Sequence, residues 1–169
     1  YGLMFGSFFN VCISRIPKGI SIVSPRSRCP KCKTEIRWYQ NIPLLSWIFL
    51  KVRCAGCKTP IPLIYPLVEI LTGIVVLLVF RHFHTPDLKD WIIKSLIYSV
   101  FSGSLIIITF IDMKYFIIPD RFTWGGVIAG ITASMSYPQI HGFESLKEGF
   151  VFSFVSALIC YGILNSVRI

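Results

Sequence analysis

Four long apolar runs, at about 63–80, 92–111, 122–138 and 149–167, order the chain. Each is close to the roughly 20 residues a helix needs to cross a bilayer core. A fifth run, 1–13, is apolar but too short to span. It reads as the remaining half of a first span that begins before Tyr1. A signal peptide is excluded, since no basic flank precedes it and no small-residue cleavage site follows. Between this half span and the first full run lies a polar segment, 14–62, that carries prolines and cysteines. The pattern predicts an all-α polytopic membrane protein, with a partial first span at 1–13, a cytoplasmic loop at 14–62 and a membrane helix bundle at 63–169.

Composition agrees, with 54% apolar and 15% charged residues and a mean hydropathy of +0.68. These values exclude a water-soluble single domain and a disordered chain. The net charge of +9 is unevenly placed. Segment 14–62 holds Arg15, Lys18, Arg26, Arg28, Lys31, Lys33, Arg37, Lys51, Arg53 and Lys58 against the single acid Glu35, so the loop carries the whole excess. Basic loops stay in the cytoplasm, which puts 81–91 outside, 112–121 inside and 139–148 outside. The flanks agree: 81–91 is balanced, Glu144 and Glu148 outnumber Lys147, and Arg168 follows the last span. The same charge suits contact with anionic lipid. Small residues at every fourth position (Ser95, Ser99, Gly103; Gly126, Gly130, Ser134; Gly149, Ser153, Ala157) predict close helix packing. No internal repeat or Asn-x-Ser/Thr sequon is expected.

Cys29-Pro-Lys-Cys32 and Cys54-Ala-Gly-Cys57 pair two Cys-x-x-Cys hairpins. Two such hairpins complete a tetrahedral structural zinc site, and a zinc ion would organise a loop that has few apolar residues to bury. Structural disulfides are disfavoured in a reducing cytoplasm. The surrounding basic residues are expected to keep the thiolates ionised, and the competing readings are a redox pair and four unremarkable thiols. Cys12 and Cys160 read as packing residues. Trp38 and Tyr39 could serve as stacking platforms for nucleic acid, but topology and lipid contact already account for the charge, so no nucleic-acid partner is expected.

A carboxylate deep in a bilayer costs roughly 2.5–3.5 kcal/mol even on permissive scales, which singles out Glu69 and Asp112. At about 100° per residue Asp112 shares a helix face with Tyr98, Phe101, Leu105 and Thr109, while Gly103 lies opposite. A partly desolvated carboxylate there suits one member of an acid/base pair. A carboxylate that reaches headgroup water or pairs with Lys114 fits equally well. Asp120, between Pro119 and the next span, reads as a helix N-cap. Glu69, one turn into its span after Pro62 and Pro66, reads as a polar tie or part of a ligand pocket near the cysteine loop. His82, His84 and His141 fall in outer loops and carry no expected role.

Taken in order, Gly6-Ser7-Phe8-Phe9-Asn10-Val11 with Arg15-Ile16-Pro17, the Cys-x-x-Cys pairs flanking Asn41-Ile42-Pro43-Leu44-Leu45-Ser46-Trp47, Tyr65-Pro66-Leu67-Val68-Glu69, and Asp112 with Ile118-Pro119-Asp120 resemble the prepilin peptidases, or type IV leader peptidases. The resemblance covers almost the whole chain. It implies a multi-pass aspartic endopeptidase of the bacterial inner membrane that cuts the basic leader from type IV prepilins and pseudopilins on the cytoplasmic side. Many members also N-methylate the new N-terminus with S-adenosylmethionine, an activity associated with the cysteine-bearing region, where Glu69 is a candidate cofactor contact. The first catalytic aspartate aligns on Asp112. The second lies in a Gly-x-Gly-Asp motif, and no Gly-Asp pair occurs in these residues. It is therefore expected beyond Ile169, with Asp120 as a possible accessory acid. A second departure is Lys51-Val52-Arg53, where the family commonly has a glycine. The non-enzymatic alternative is a membrane-anchored zinc module that docks a protein or nucleic acid.

Overall fold

A computed structural model describes residues 1–143 and 145–167, the last seven of these by backbone alone. Glu144 and Arg168, two of the charges used for orientation, lie outside the described residues. The chain forms α1 (Gly2–Arg15), the short α2 (Leu45–Phe49), α3 (Ile64–His82), α4 (Leu88–Tyr115), α5 (Asp120–Ser136) and α6 (Leu146–Val167). The described residues are thus all-helical apart from single-residue bridges at Arg28/Glu35 and Arg53/Pro60. Among the described residues, α3 and α4 are long and apolar enough to cross a membrane.

The apolar runs recover the long helices, and α4 shows why their ends differ. It begins at Leu88, ahead of the apolar run, because the Asp87 carboxylate accepts from the Lys89 N–H at 3.0 Å and caps the first turn. It ends where Phe116 turns left-handed and donates its N–H to the Asp112 carbonyl at 2.8 Å. At the other end Trp91 Nε1 donates to the Phe80 carbonyl at 2.8 Å, and Phe83 stacks on Tyr98, which ties α3 to α4.

The chain divides into two compact units, Tyr1–Pro119 and Asp120–Ile169. In the first, α1 packs against α3 and α4 around Cys12, Val68, Ile106, Ile107, Phe110 and Ile111. The closest crossing is between α1 and α3. A Cβ on Gly6 would lie 2.6 Å from Glu69 Cα, and one on Gly2 3.0 Å from Gly73 Cα. Gly2 and Gly6 thus form a small-x-x-x-small pair that admits another backbone, a stripe missing from those expected. Of the expected stripes, Ser95 and Gly103 are buried, and Gly103 faces Phe9. In the second unit Gly149 sits against the Ser134 carbonyl, and Ser134 Oγ donates to the Gly149 carbonyl at 3.0 Å. Cys12 is buried as expected of a packing residue, whereas Cys160 is exposed.

The Gly6 contact is backbone against Cβ, so no side chain can swing aside. Gly6→Ala is expected to destabilise the protein by about 1–3 kcal/mol through overpacking. The readout is the apparent Tm in detergent, and an unchanged Tm would contradict this crossing.

Candidate functional site

Each Cys-x-x-Cys closes a knuckle of the same build. The Cys29 N–H donates to the Thr34 carbonyl at 3.0 Å, and the Cys54 N–H to the Thr59 carbonyl at 2.8 Å. Lys33 and Lys58 return their N–H groups to the carbonyls of Cys29 and Cys54, with φ of 61° and 59°. Ile36 and Ile61 complete the loops by donating to Ser27 and Val52. The sequence carries this duplication, as Arg28-Cys29-Pro30-Lys31-Cys32-Lys33-Thr34-Glu35-Ile36 matches Arg53-Cys54-Ala55-Gly56-Cys57-Lys58-Thr59-Pro60-Ile61 at six of nine positions. The expectation of no repeat is therefore corrected. Two short copies a loop apart escape a search for long periods, but the matching Arg, Lys, Thr and Ile around the cysteines were the available signal.

The knuckles face each other so that all four sulfurs lie within 4.8 Å of one another. Cys29 Sγ is 3.9 Å from Cys57 Sγ, and Cys32 Sγ is 3.9 Å from Cys54 Sγ. A tetrahedron of thiolates about 2.3 Å from a zinc ion has edges of about 3.8 Å, so both 3.9 Å pairs match the spacing such an ion requires. The group can hold a metal. The Thr34 hydroxyl, with its backbone amide, lowers the Cys32 thiol to about 6, and the Thr59 pair lowers Cys57 in the same way. The threonine hydroxyl and amide are the largest causes of the lowering at both thiols. At Cys29 the amides of Cys32 and Lys31 pull the thiol down, but desolvation and the neighbouring sulfurs of Cys32 and Cys54 outweigh them, and it sits above its ordinary value.

Below the knuckles a polar seam joins the loop to α1 and α3. The Leu44 N–H donates to Glu69 Oε2 at 2.9 Å. Asn10 Nδ2 donates to the Tyr65 carbonyl at 3.0 Å, and Ser7 Oγ to the Asn41 carbonyl at 3.4 Å. Ser7, Asn10 and Glu69 are all buried. Leu44 holds a left-handed φ of 58°, and the carboxylate fixes the amide of that strained turn. A cavity of about 540 Å³ opens above the seam, within the size range of small-ligand sites. Ser7, Asn10 and Glu69 line it on the helix side, Trp47 and Ser46 on the α2 side, and Arg37 on the knuckle side. Trp47 Nε1 is buried without a hydrogen-bond partner, a donor free for a ligand acceptor. Glu69 thus ties the loop down and lines the cavity at once.

Glu35 also lines this cavity, whereas Asp112 is not among its lining residues. Asp112 is exposed in the last turn of α4, on the face opposite Gly103, beside the exposed Phe101 and Leu105. Lys114 does not pair with it; its ammonium lies 5.2 Å from the Tyr115 ring centroid. Asp120 is the first residue of α5, in its first turn and not ahead of it, and is exposed. The expected N-cap therefore becomes an acid at the positive end of the helix, which still favours helix formation.

Residues 1–83 match the family model described as the bacterial peptidase A24 N-terminal domain. The chain is 42% identical over 147 residues to a prepilin leader peptidase/N-methyltransferase of Myxococcus xanthus, covering 87% of this chain and 41% of that protein. Proteins of the same name from Klebsiella pneumoniae and Aeromonas hydrophila are 38% and 30% identical over 79% and 96% of this chain, and 60% and 61% of their own lengths. This chain belongs to the prepilin peptidase family. It spans about half the length of the curated relatives it matches. No solved structure matches it.

Lys51 and Val52 hold φ of 50° and 64°. That left-handed backbone favours glycine, which gives a physical reason for the glycine common in the family at this point. His82, His84 and His141 make ring contacts with Phe83, Trp91 and Phe152. Trp38 and Tyr39 meet edge to face at 86°. The contact that sequence reasoning missed is Glu69 to Leu44, since a bond across 25 positions leaves no local signal.

Proposed function

We propose that this chain carries the cysteine-bearing region and first catalytic aspartate of a multi-pass aspartic endopeptidase of the bacterial inner membrane. It removes the basic leader from type IV prepilins or pseudopilins on the cytoplasmic side and N-methylates the new N-terminus. The observation that carries the reading is the likeness to relatives named prepilin leader peptidase/N-methyltransferase along most of this chain, from the helix α1 residues through Asp112. The length and apolar character of α3 and α4 support a membrane location, and the basic loop favours a cytoplasmic position for the knuckles.

Asp112 acts in a pair with a second carboxylate, which the resemblance places after Ile169, with Asp120 as an accessory acid. One carboxylate takes a proton from the attacking water while the other, protonated, polarises the scissile carbonyl. Cys29, Cys32, Cys54 and Cys57 hold a structural zinc ion.

S-adenosylmethionine, when bound, supplies an electrophilic methyl group on a sulfonium. The cavity fits it by size, by the buried Glu69 carboxylate that would face a cation, and by the orphan Trp47 donor. Glu69 holds the Asn41–Leu44 turn that forms one wall and, with Glu35, contributes negative charge to the pocket.

The test incubates the complete protein in membranes with a prepilin and reads both leader loss and methylation of the mature N-terminus by mass spectrometry. Glu69→Gln keeps an acceptor for the Leu44 N–H but loses the charge. It is expected to lower methylation roughly 10- to 100-fold, the worth of a charged hydrogen bond, with cleavage retained. Equal loss of both products would remove Glu69 from the cofactor site, and an intact prepilin would overturn the peptidase reading.

A further inference from the structure

Helix α2 is only Leu45–Phe49, yet it has two distinct sides. Ser46, Trp47 and Leu50 line the cavity. Leu45, Ile48 and Phe49, at i, i+3 and i+4, share the other side and are 52%, 61% and 79% exposed. Lys51 and Arg53 follow at once.

The seam fixes how deep this side lies. Glu69 is five residues inside the start of α3, and Asn10 is five residues inside the basic end of α1. At about 1.5 Å per residue, Leu44 is held about 7–8 Å along the axis from the cytoplasmic end of α3, and Asn41, bonded to Ser7, about 12 Å from that of α1. Interfacial helices bury their apolar faces about 5–10 Å into the headgroup and acyl boundary. Irregular backbone at that depth needs its polar groups satisfied, and here Glu69 takes the Leu44 N–H while Ser7 reaches the Asn41 carbonyl. The Leu44 carbonyl accepts from Ile48, and the Ile42 carbonyl accepts from the Ser46 N–H and hydroxyl.

We propose that segment 41–53 is re-entrant. Leu45, Ile48 and Phe49 insert among the acyl chains of the cytoplasmic leaflet, and Lys51 and Arg53 reach anionic phosphates. The occupant of this apolar side is lipid and not a second protein, because the side lies at acyl depth and is closed on its cytoplasmic edge by cations that complement anionic headgroups. One consequence is that the cavity behind Trp47 lies at the bilayer surface, the level at which the N-terminus of a membrane-embedded helix emerges. The inference rests on reading α3 as a span entered from the cytoplasm.

Photo-crosslinking tests it. p-Benzoylphenylalanine is placed in the complete protein at position 49, at position 48 as a second site in the same face, at the exposed Leu77 of α3 as a bilayer control, and at the exposed Lys31 as a loop control. After irradiation in native membranes, adducts are identified by mass spectrometry, with retained zinc as the check on folding. Phospholipid adducts at 48 and 49 matching those at 77, and absent at 31, are the expected result. Lipid adducts at 77 with none at 48 and 49, or with protein adducts there instead, overturn the inference alone. Loss of lipid adducts at 77 as well overturns the span on which it rests.

Discussion

Replacing Asp112 with Asn in the complete protein is expected to lower prepilin cleavage by roughly 10²–10⁴-fold, the contribution of a positioned acid or base, while the protein still inserts and accumulates. The dissociation of activity from folding follows from the geometry. Asp112 is exposed in the last turn of α4, on the side away from the core of Ile106, Ile107, Phe110 and Ile111, and its side chain makes no hydrogen bond or ion pair among the described residues. Nothing in the packing of its unit needs the charge. Asp120→Asn is the internal comparison, because an accessory acid should cost less than a member of the pair. Cleavage by Asp112→Asn at the parental rate would take the aspartate out of the mechanism and leave the metal-bearing module as the better account of the chain.

The second large effect concerns the metal. Purified protein is expected to carry about one zinc ion per chain, as a closed four-cysteine site holds, and to lose it on Cys29→Ser or Cys57→Ser. Those two cysteines form one of the 3.9 Å sulfur pairs, so either substitution removes a vertex of the tetrahedron. Binding to comparable sites is worth about 10–16 kcal/mol at neutral pH, and here it would also help hold the knuckles together. Metal analysis together with limited proteolysis of 14–62 reads both consequences. Metal-free protein with a protease-resistant loop would remove zinc from the structure.

Much of this architecture was legible because membrane sequences state it directly. The apolar runs became helices, since a backbone in hydrocarbon must satisfy its own hydrogen bonds. The cysteine spacing announced its site, since a tetrahedral ion leaves little freedom to its ligands. Helix ends were less legible. Asp87 starts α4 ahead of its apolar run, and the left-handed Phe116 stops it after Asp112, both through polar or conformational preferences that hydropathy ignores. Contacts between distant segments were not legible at all. Gly6 reads as an ordinary small residue until Glu69 is found against it, and Leu44 as an ordinary loop leucine until its amide is found on that same carboxylate. Helix α2 was missed for a related reason: five residues cannot sustain a helix unaided, and this one exists because the seam holds its start.

A polypeptide leaves the ribosome amino end first. All four cysteines precede Ile64, so the residues that form both knuckles are synthesised before any of α3, whereas the carboxylate that anchors Leu44 arrives with α3 itself. The knuckles and their anchor are thus made in succession. Until α3 follows, the loop lacks the carboxylate that berths its Leu44 turn.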